Sequence, residues 1–127
     1  MDFVKRLQEF EDYMFLGGST REEILNAESM LDLQFSEEYR EYLGKCGMAT
    51  ANGHEFMGIG KANRLSVVEN TQALRDKVII PKDMYVIEKL AIDGIVVTQD
   101  KNGSVYQVYT DGEYTKIAET LYDYLVQ

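Results

Sequence analysis

The sequence predicts an α+β domain, and three observations carry that prediction. Helical periodicity fills the first half of the chain, from Phe3 to Cys46. Runs rich in β-branched and aromatic residues, separated by Gly-containing turns, fill residues 85–110. A last apolar stripe closes the chain. Helices first and an antiparallel meander later indicate α+β rather than repeated βαβ units.

Taken in order, residues 2–14 read as a helix, because Phe3, Leu7, Phe10 and Met14 fall on one stripe. Gly17-Gly18 ends it. Ser19 and Thr20 each precede a glutamate by three residues, Glu22 and Glu23, so either can form a capping box for the next helix. That helix carries Ile24, Ala27, Glu28 and Leu31 at i, i+3, i+4, i+7. A second follows with Tyr39, Tyr42, Leu43 and Cys46 at the same spacing. Between them Ser36 is the expected N-cap, with Glu37 and Glu38 in the first turn where the helix dipole favours negative charge. Gly47 stops the second helix.

After Gly47 the period changes. Residues 48–51 and 54–57 around Asn52-Gly53 predict a short hairpin, since Asn-Gly is the strongest two-residue turn signal. Gly58-Ile59-Gly60 is a loop. Ser66 or a nearby residue is expected to cap a fourth helix with Val67, Val68, Thr71 and Leu74 on one face, and Pro81 marks the exit from that region. Strands are expected at 85–92, 95–99 and 105–110, with turns at Asp93-Gly94, at Asp100 to Gly103 and at Asp111-Gly112. The last helix is placed at about residues 115–126 on Ile117, Leu121, Tyr124 and Leu125. The 127 residues make one domain, 1–127, large enough for a core without staples.

Composition narrows the function classes. Thirteen basic against 22 acidic residues give a net charge of −9. Residues 1–45 hold 11 acids and 5 bases, and residues 86–127 hold 7 and 3. Such a chain repels nucleic-acid backbones and attracts basic partners. One cysteine excludes an internal disulfide framework, and the charged N-terminus resembles no signal peptide; no run reaches the length of a membrane span. The expectation is a cytoplasmic protein with no nucleic-acid or membrane partner.

Catalytic and metal motifs are weak. Gly58-x-Gly60 lacks the third glycine of a nucleotide loop, position 63 being Asn63. Asp100-x-Asn102 begins like a calcium loop, but Val105 stands where glycine is required, and a tight turn explains it better. His54 is the only histidine and Cys46 the only thiol. A zinc site would have to recruit carboxylates without any suggestive spacing. Cys46 lies on an apolar helix face, where a buried inert thiol is the usual occupant. No cofactor is expected. Among nine tyrosines, Tyr39, Tyr42 and Tyr124 fit core stripes with their hydroxyls near the rim. Tyr106 and Tyr109 on a strand are candidate partner anchors, though aromatic side chains mostly bury.

The helix pair also carries a resemblance. Ile24-x-x-Ala27-Glu28-x-x-Leu31, then Phe35-Ser36-Glu37-Glu38-Tyr39-Arg40-Glu41-Tyr42-Leu43 and Cys46-Gly47, resembles the signature of the SUKH superfamily. That group is named partly after a fungal cell-wall-synthesis regulator and a killer-toxin-resistance protein. Ser104-Val105-Tyr106, Ile117-Ala118 and Leu121-Tyr122-x-Tyr124-Leu125 resemble the family's last strand and closing helix. Phe35-Ser36 replaces the family's usual Leu-Pro and keeps the helix start. The resemblance implies N-terminal helices and a C-terminal helix packed around a bent antiparallel sheet. For a small single-domain bacterial member it implies an immunity protein that neutralises a polymorphic toxin by binding, without common catalytic residues. With the acidic charge, this points to a basic toxin domain, such as a nuclease, as partner. The expected binding surface is the acidic turn region: Asp93, Asp100, Asp111 and Glu113, with Tyr106 or Tyr109 as aromatic anchor. A regulatory or scaffold module of the same fold, and an enzyme with an unrecognised carboxylate site, are the alternatives.

Overall fold

Ser36, Thr20 and Asn52-Gly53 set the frame, because each fixes where one element stops and the next begins. The computed structural model describes residues 2–60, 63–77, 80–92 and 94–127. Its elements run α1 (Phe3–Leu7), β1 (Met14–Phe15), α2 (Arg21–Leu31), α3 (Glu37–Lys45), β2 (Ala49–Ala51) and β3 (His54–Phe56). A 3-10 turn (Asn63–Leu65) leads into α4 (Val67–Lys77). Then come β4 (Tyr85–Lys89), β5 (Val96–Gln99), β6 (Val105–Val108), β7 (Tyr114–Ala118) and α5 (Leu121–Val126). Two antiparallel sheets result, ordered β1-β2-β3 and β4-β5-β6-β7. The Met57 N–H donates to Ile87 O at 2.8 Å and joins them.

The helix boundaries follow side-chain chemistry. Thr20 and Glu23 form a reciprocal capping box for α2. The Ser36 hydroxyl accepts from the Tyr39 N–H at 3.0 Å, and Ser66 does the same for Glu69 at 3.2 Å. Gly47, at φ +73°, ends α3 in the left-handed region. A Cβ on Gly58 would run into the backbone carbonyl of Gly47, so the chain after the hairpin crosses the end of α3 in backbone contact. Asn52 and Gly53 both have positive φ, as the tight hairpin turn requires.

Two predicted helices are shorter than their stripes suggest. The first stops at Leu7 rather than Met14. Asp12 instead accepts from the Asn52 and Gly53 N–H groups at 2.7 and 2.8 Å, which pulls the chain onto the hairpin and lets Met14–Phe15 pair with β2. Those two donors hold the Asp12 carboxyl below the usual carboxylate range. The last helix starts at Leu121, not 115. Gly112, at φ +87°, turns the chain so that Tyr114–Ala118 becomes a fourth strand of the meander. Tyr114, Thr115 and Ile117 suit that strand.

An aromatic seam fills the core between α3 and both sheets. Tyr39 packs on Tyr42 and Tyr85 with ring centroids 5.5 and 5.1 Å apart, and Phe35 meets Tyr85 at 4.9 Å. The Tyr39 and Tyr42 hydroxyls do not reach the rim. They are buried and donate to Met57 O at 2.8 Å and Phe56 O at 3.0 Å. Burial pushes both phenols well above their ordinary range, so they remain donors. Helix α3 is thereby fastened to the strand end where the two sheets join.

Candidate functional site

Strand β6 separates the acidic turns into two groups. At its start, Asp100 is buried within its own turn. Its carboxylate accepts from Asn102 N at 3.0 Å, Ser104 N at 3.2 Å and the Tyr106 hydroxyl at 3.1 Å. Burial, then the Asp100 carboxylate, raises the Tyr106 phenol. Asp100 therefore shapes the corner on which Tyr106 rests, and Tyr106 packs edge-on against Tyr114 at 5.6 Å.

At the other end of β6, the Tyr109 N–H donates to Glu113 O and the Gly112 N–H to Tyr109 O. The Asp111 side chain accepts from the Glu113 N–H at 2.9 Å. Tyr109, Asp111 and Glu113 are thus gathered on one exposed turn beside exposed Tyr114. Four residues of extended strand, roughly 13 Å, lie between this turn and the Asp100 corner. Asp93 lies outside the described residues.

Three polar clusters, whose long-range connections periodicity and composition did not reveal, do the internal work. Glu38 accepts from Leu121 N at 2.7 Å, Tyr122 N at 3.0 Å and Gln99 Nε2 at 3.2 Å. It caps α5 from α3, and burial raises its carboxyl despite those donors. Gln99 is saturated: its oxygen receives Ser36 and Tyr85, and its amide nitrogen reaches Gly103 O as well as Glu38. Glu28 ties the helix pair together, accepting from the Phe35 N–H at 2.7 Å and from Arg40 at 2.7 and 3.0 Å.

The third cluster sits where the sheets meet. Glu88, at the bulge of β4, receives the Tyr124 hydroxyl at 2.6 Å and the Glu55 N–H at 2.8 Å. His54 Nδ1 lies 2.9 Å from the same carboxylate, and its ring packs on Tyr124 with centroids 4.8 Å apart. Desolvation and the Glu88 charge push the Tyr124 phenol upward. His54 is thus held by Glu88, while Cys46 Sγ lies 3.5 Å from the Tyr13 hydroxyl. Burial raises the thiol, which suits an unreactive packing role. The only histidine and the only thiol of the sequence are therefore tied to two different partners. Among the described residues, no group of three or more His, Cys, Asp or Glu side chains is placed to hold a metal ion. Among them, too, no helix is long and apolar enough to cross a membrane.

One surface feature escaped the sequence reading altogether. Met14 and Phe15 of β1, the edge of the small sheet, and Leu16 just after it are 71%, 55% and 73% exposed. The helix expected over 2–14 places Met14 on its stripe and leaves Phe15 and Leu16 unassigned; paired against β2, the three form one apolar edge.

Helices at both ends, two antiparallel sheets and an aromatic seam between them form a mixed α+β domain consistent with the SUKH fold. The comparison with protein families agrees: the family described as SUKH_5, SMI1-KNR4 cell-wall, matches residues 1–127, and the chain belongs to it. That family includes immunity proteins and SMI1/KNR4-like proteins, and its members often bind protein partners. No curated protein matches the chain.

Proposed function

We propose that this chain is an immunity protein that neutralises a cognate toxin by stoichiometric binding, with no chemistry of its own. The observation that carries the reading is the net charge of −9 on a chain that belongs over its full length to a family containing immunity proteins. The fitting partner is a basic toxin domain such as a nuclease, because an acidic surface speeds its capture and competes with nucleic acid. The internal carboxylates Glu28, Glu38, Glu88 and Asp100 are occupied in holding elements together. The exposed ones are left for steering.

On this reading the toxin meets the β6–β7 turn, where Tyr109 is the anchor and Asp111 and Glu113 the steering charges. Asp93 belongs to the same proposal by sequence, and Asp100 with Tyr106 supports the far end of the strand. The family's cell-wall description favours one second reading, a regulatory interaction module. Binding kinetics against a toxin encoded beside this chain, across a salt series, test the site. Reversing Asp111 and Glu113 to lysine moves the net charge from −9 to −5. Association at low salt should slow by roughly tenfold and depend less on salt. Tyr109→Ala should instead speed dissociation. Unchanged association at low salt would move the interface elsewhere.

A further inference from the structure

The exposed edge of β1 has the composition and backbone geometry of a strand-docking site. β1 pairs with β2 through Met14 opposite Thr50 and Phe15 opposite Ala49, and the Leu16 N–H donates to Met48 O at 3.1 Å. Antiparallel bonding alternates along a strand, so Phe15 directs its N–H and C=O away from β2. This outward backbone lies among three of the most exposed apolar side chains of the described residues, and Phe15 is stiffened by stacking on Tyr13 at 5.4 Å. Edge strands are ordinarily blunted by brevity, charge or proline; β1 is only two residues long, but neither charge nor proline occurs from Tyr13 to Gly18.

What covers this edge follows from charge and area. Between positions 9 and 23 stand Glu9, Glu11, Asp12, Glu22 and Glu23 against Arg21 alone; Glu9 is paired with Arg6, and Asp12 and Glu23 accept backbone N–H groups, yet the flanks stay net acidic. A second copy would bring another net charge of −9 against the first. The three side chains offer roughly 400 Å² a side, about half of what a stable interface buries. A basic segment escapes the charge obstacle, since it neutralises the flanks, and the main-chain bonds of strand addition supplement the small apolar area.

We propose that the outer edge of β1 accepts an extended segment of a protein partner, alternately apolar and basic, by β-strand addition centred on Phe15. The inference rests on the reading that the partner is a basic protein, but it concerns a surface other than the β6–β7 turn.

The test is a nuclear magnetic resonance titration of the 15N-labelled chain with two synthetic peptides, acetyl-(Lys-Val)4-amide and acetyl-(Glu-Val)4-amide. The lysine peptide should shift the amides of residues 13–18 and bind at least roughly tenfold more tightly than the glutamate peptide. Phe15→Pro should abolish those shifts. Proline is tolerated on an edge where the lost N–H faces solvent, so the variant should keep the fold. Leu16→Lys, at a position already exposed, should weaken binding by roughly tenfold and guards against misfolding of the proline variant. Shifts confined to other elements, equal binding of both peptides, or unchanged binding by both variants would overturn the proposal. So would concentration-dependent dimerisation through residues 13–18, which would make a second copy the occupant. Failure here leaves toxin binding by the chain untouched, because no toxin enters the experiment.

Discussion

Replacing Ser36 by alanine removes two contacts that act on different levels of the fold. The hydroxyl accepts from the Tyr39 N–H, satisfying one of the orphan donors of α3, and donates to Gln99 Oε1 at 3.0 Å, tying the helix start to β5. Loss of an N-cap costs about 1 kcal/mol. Loss of a buried side-chain hydrogen bond costs about 1 kcal/mol more, and Gln99 Oε1 retains the Tyr85 hydroxyl at 2.7 Å, which limits the damage there. Ser36→Ala should therefore destabilise the domain by about 2 kcal/mol. With a urea slope of about 1.5 kcal/mol/M, the midpoint should fall by about 1.3 M. Thr20→Ala supplies the comparison, since its capping box is exposed and reaches no other element; it should cost about 1 kcal/mol. Equal midpoints for the two variants would show that the Gln99 bond adds nothing. An unchanged midpoint for Ser36→Ala would refute the capping assignment itself.

Three further outcomes follow from named contacts. Glu38 has a carboxyl raised by burial, so its ionised form is disfavoured in the folded state. Its contribution is most favourable below the unfolded value and is lost as pH rises through the folded one. The stability advantage of wild type over Glu38→Gln should accordingly shrink between pH 4 and pH 8 in urea titrations, and a growing advantage would reverse the assignment. Gly58→Ala places a methyl group against the Gly47 carbonyl and should cost more than about 3 kcal/mol or prevent folding, as seen in thermal unfolding; a cost below 1 kcal/mol would refute that packing. Cys46, buried beside Tyr13, should react with a thiol reagent at least about a hundredfold more slowly in the native chain than in urea. Equal rates would show that the thiol is open.

Elements closed by local chemistry were legible in the sequence. Ser36 and the Asn52-Gly53 turn act within a few residues, so local sequence revealed them; it narrowed the other two caps to Ser19 or Thr20 and to Ser66 or a neighbour, between which the structure chooses Thr20 and Ser66. Elements set by distant partners were not. The stripe from Phe3 to Met14 suits a helix, yet Asp12 binds a turn forty residues away and the segment after Leu7 unwinds to reach it. Likewise Ile117 continues the stripe of the closing helix but pairs as a strand, because α5 is started by Thr120 and by Glu38, 83 residues upstream of Leu121. The candidate surface shows the same division. Asp111 and Glu113 bracket a Gly turn and were readable as exposed charge. Asp100 carries the same signal but is consumed by its own corner and by Tyr106, and the apolar edge at Met14–Leu16 is hidden because Met14 fits the helix stripe while Phe15 and Leu16 fall in no expected element.

The central claim is stoichiometric neutralisation, and its direct test is a titration of toxin activity. A purified toxin domain encoded beside this chain is held at a concentration well above its dissociation constant, and residual activity is followed as the chain is added. Activity should fall linearly to zero at one equivalent, with a 1:1 complex recovered by size-exclusion chromatography. Complete loss of activity at a small fraction of an equivalent would indicate catalytic inactivation, and undiminished activity at excess would show that this toxin is not bound; either result contradicts the account.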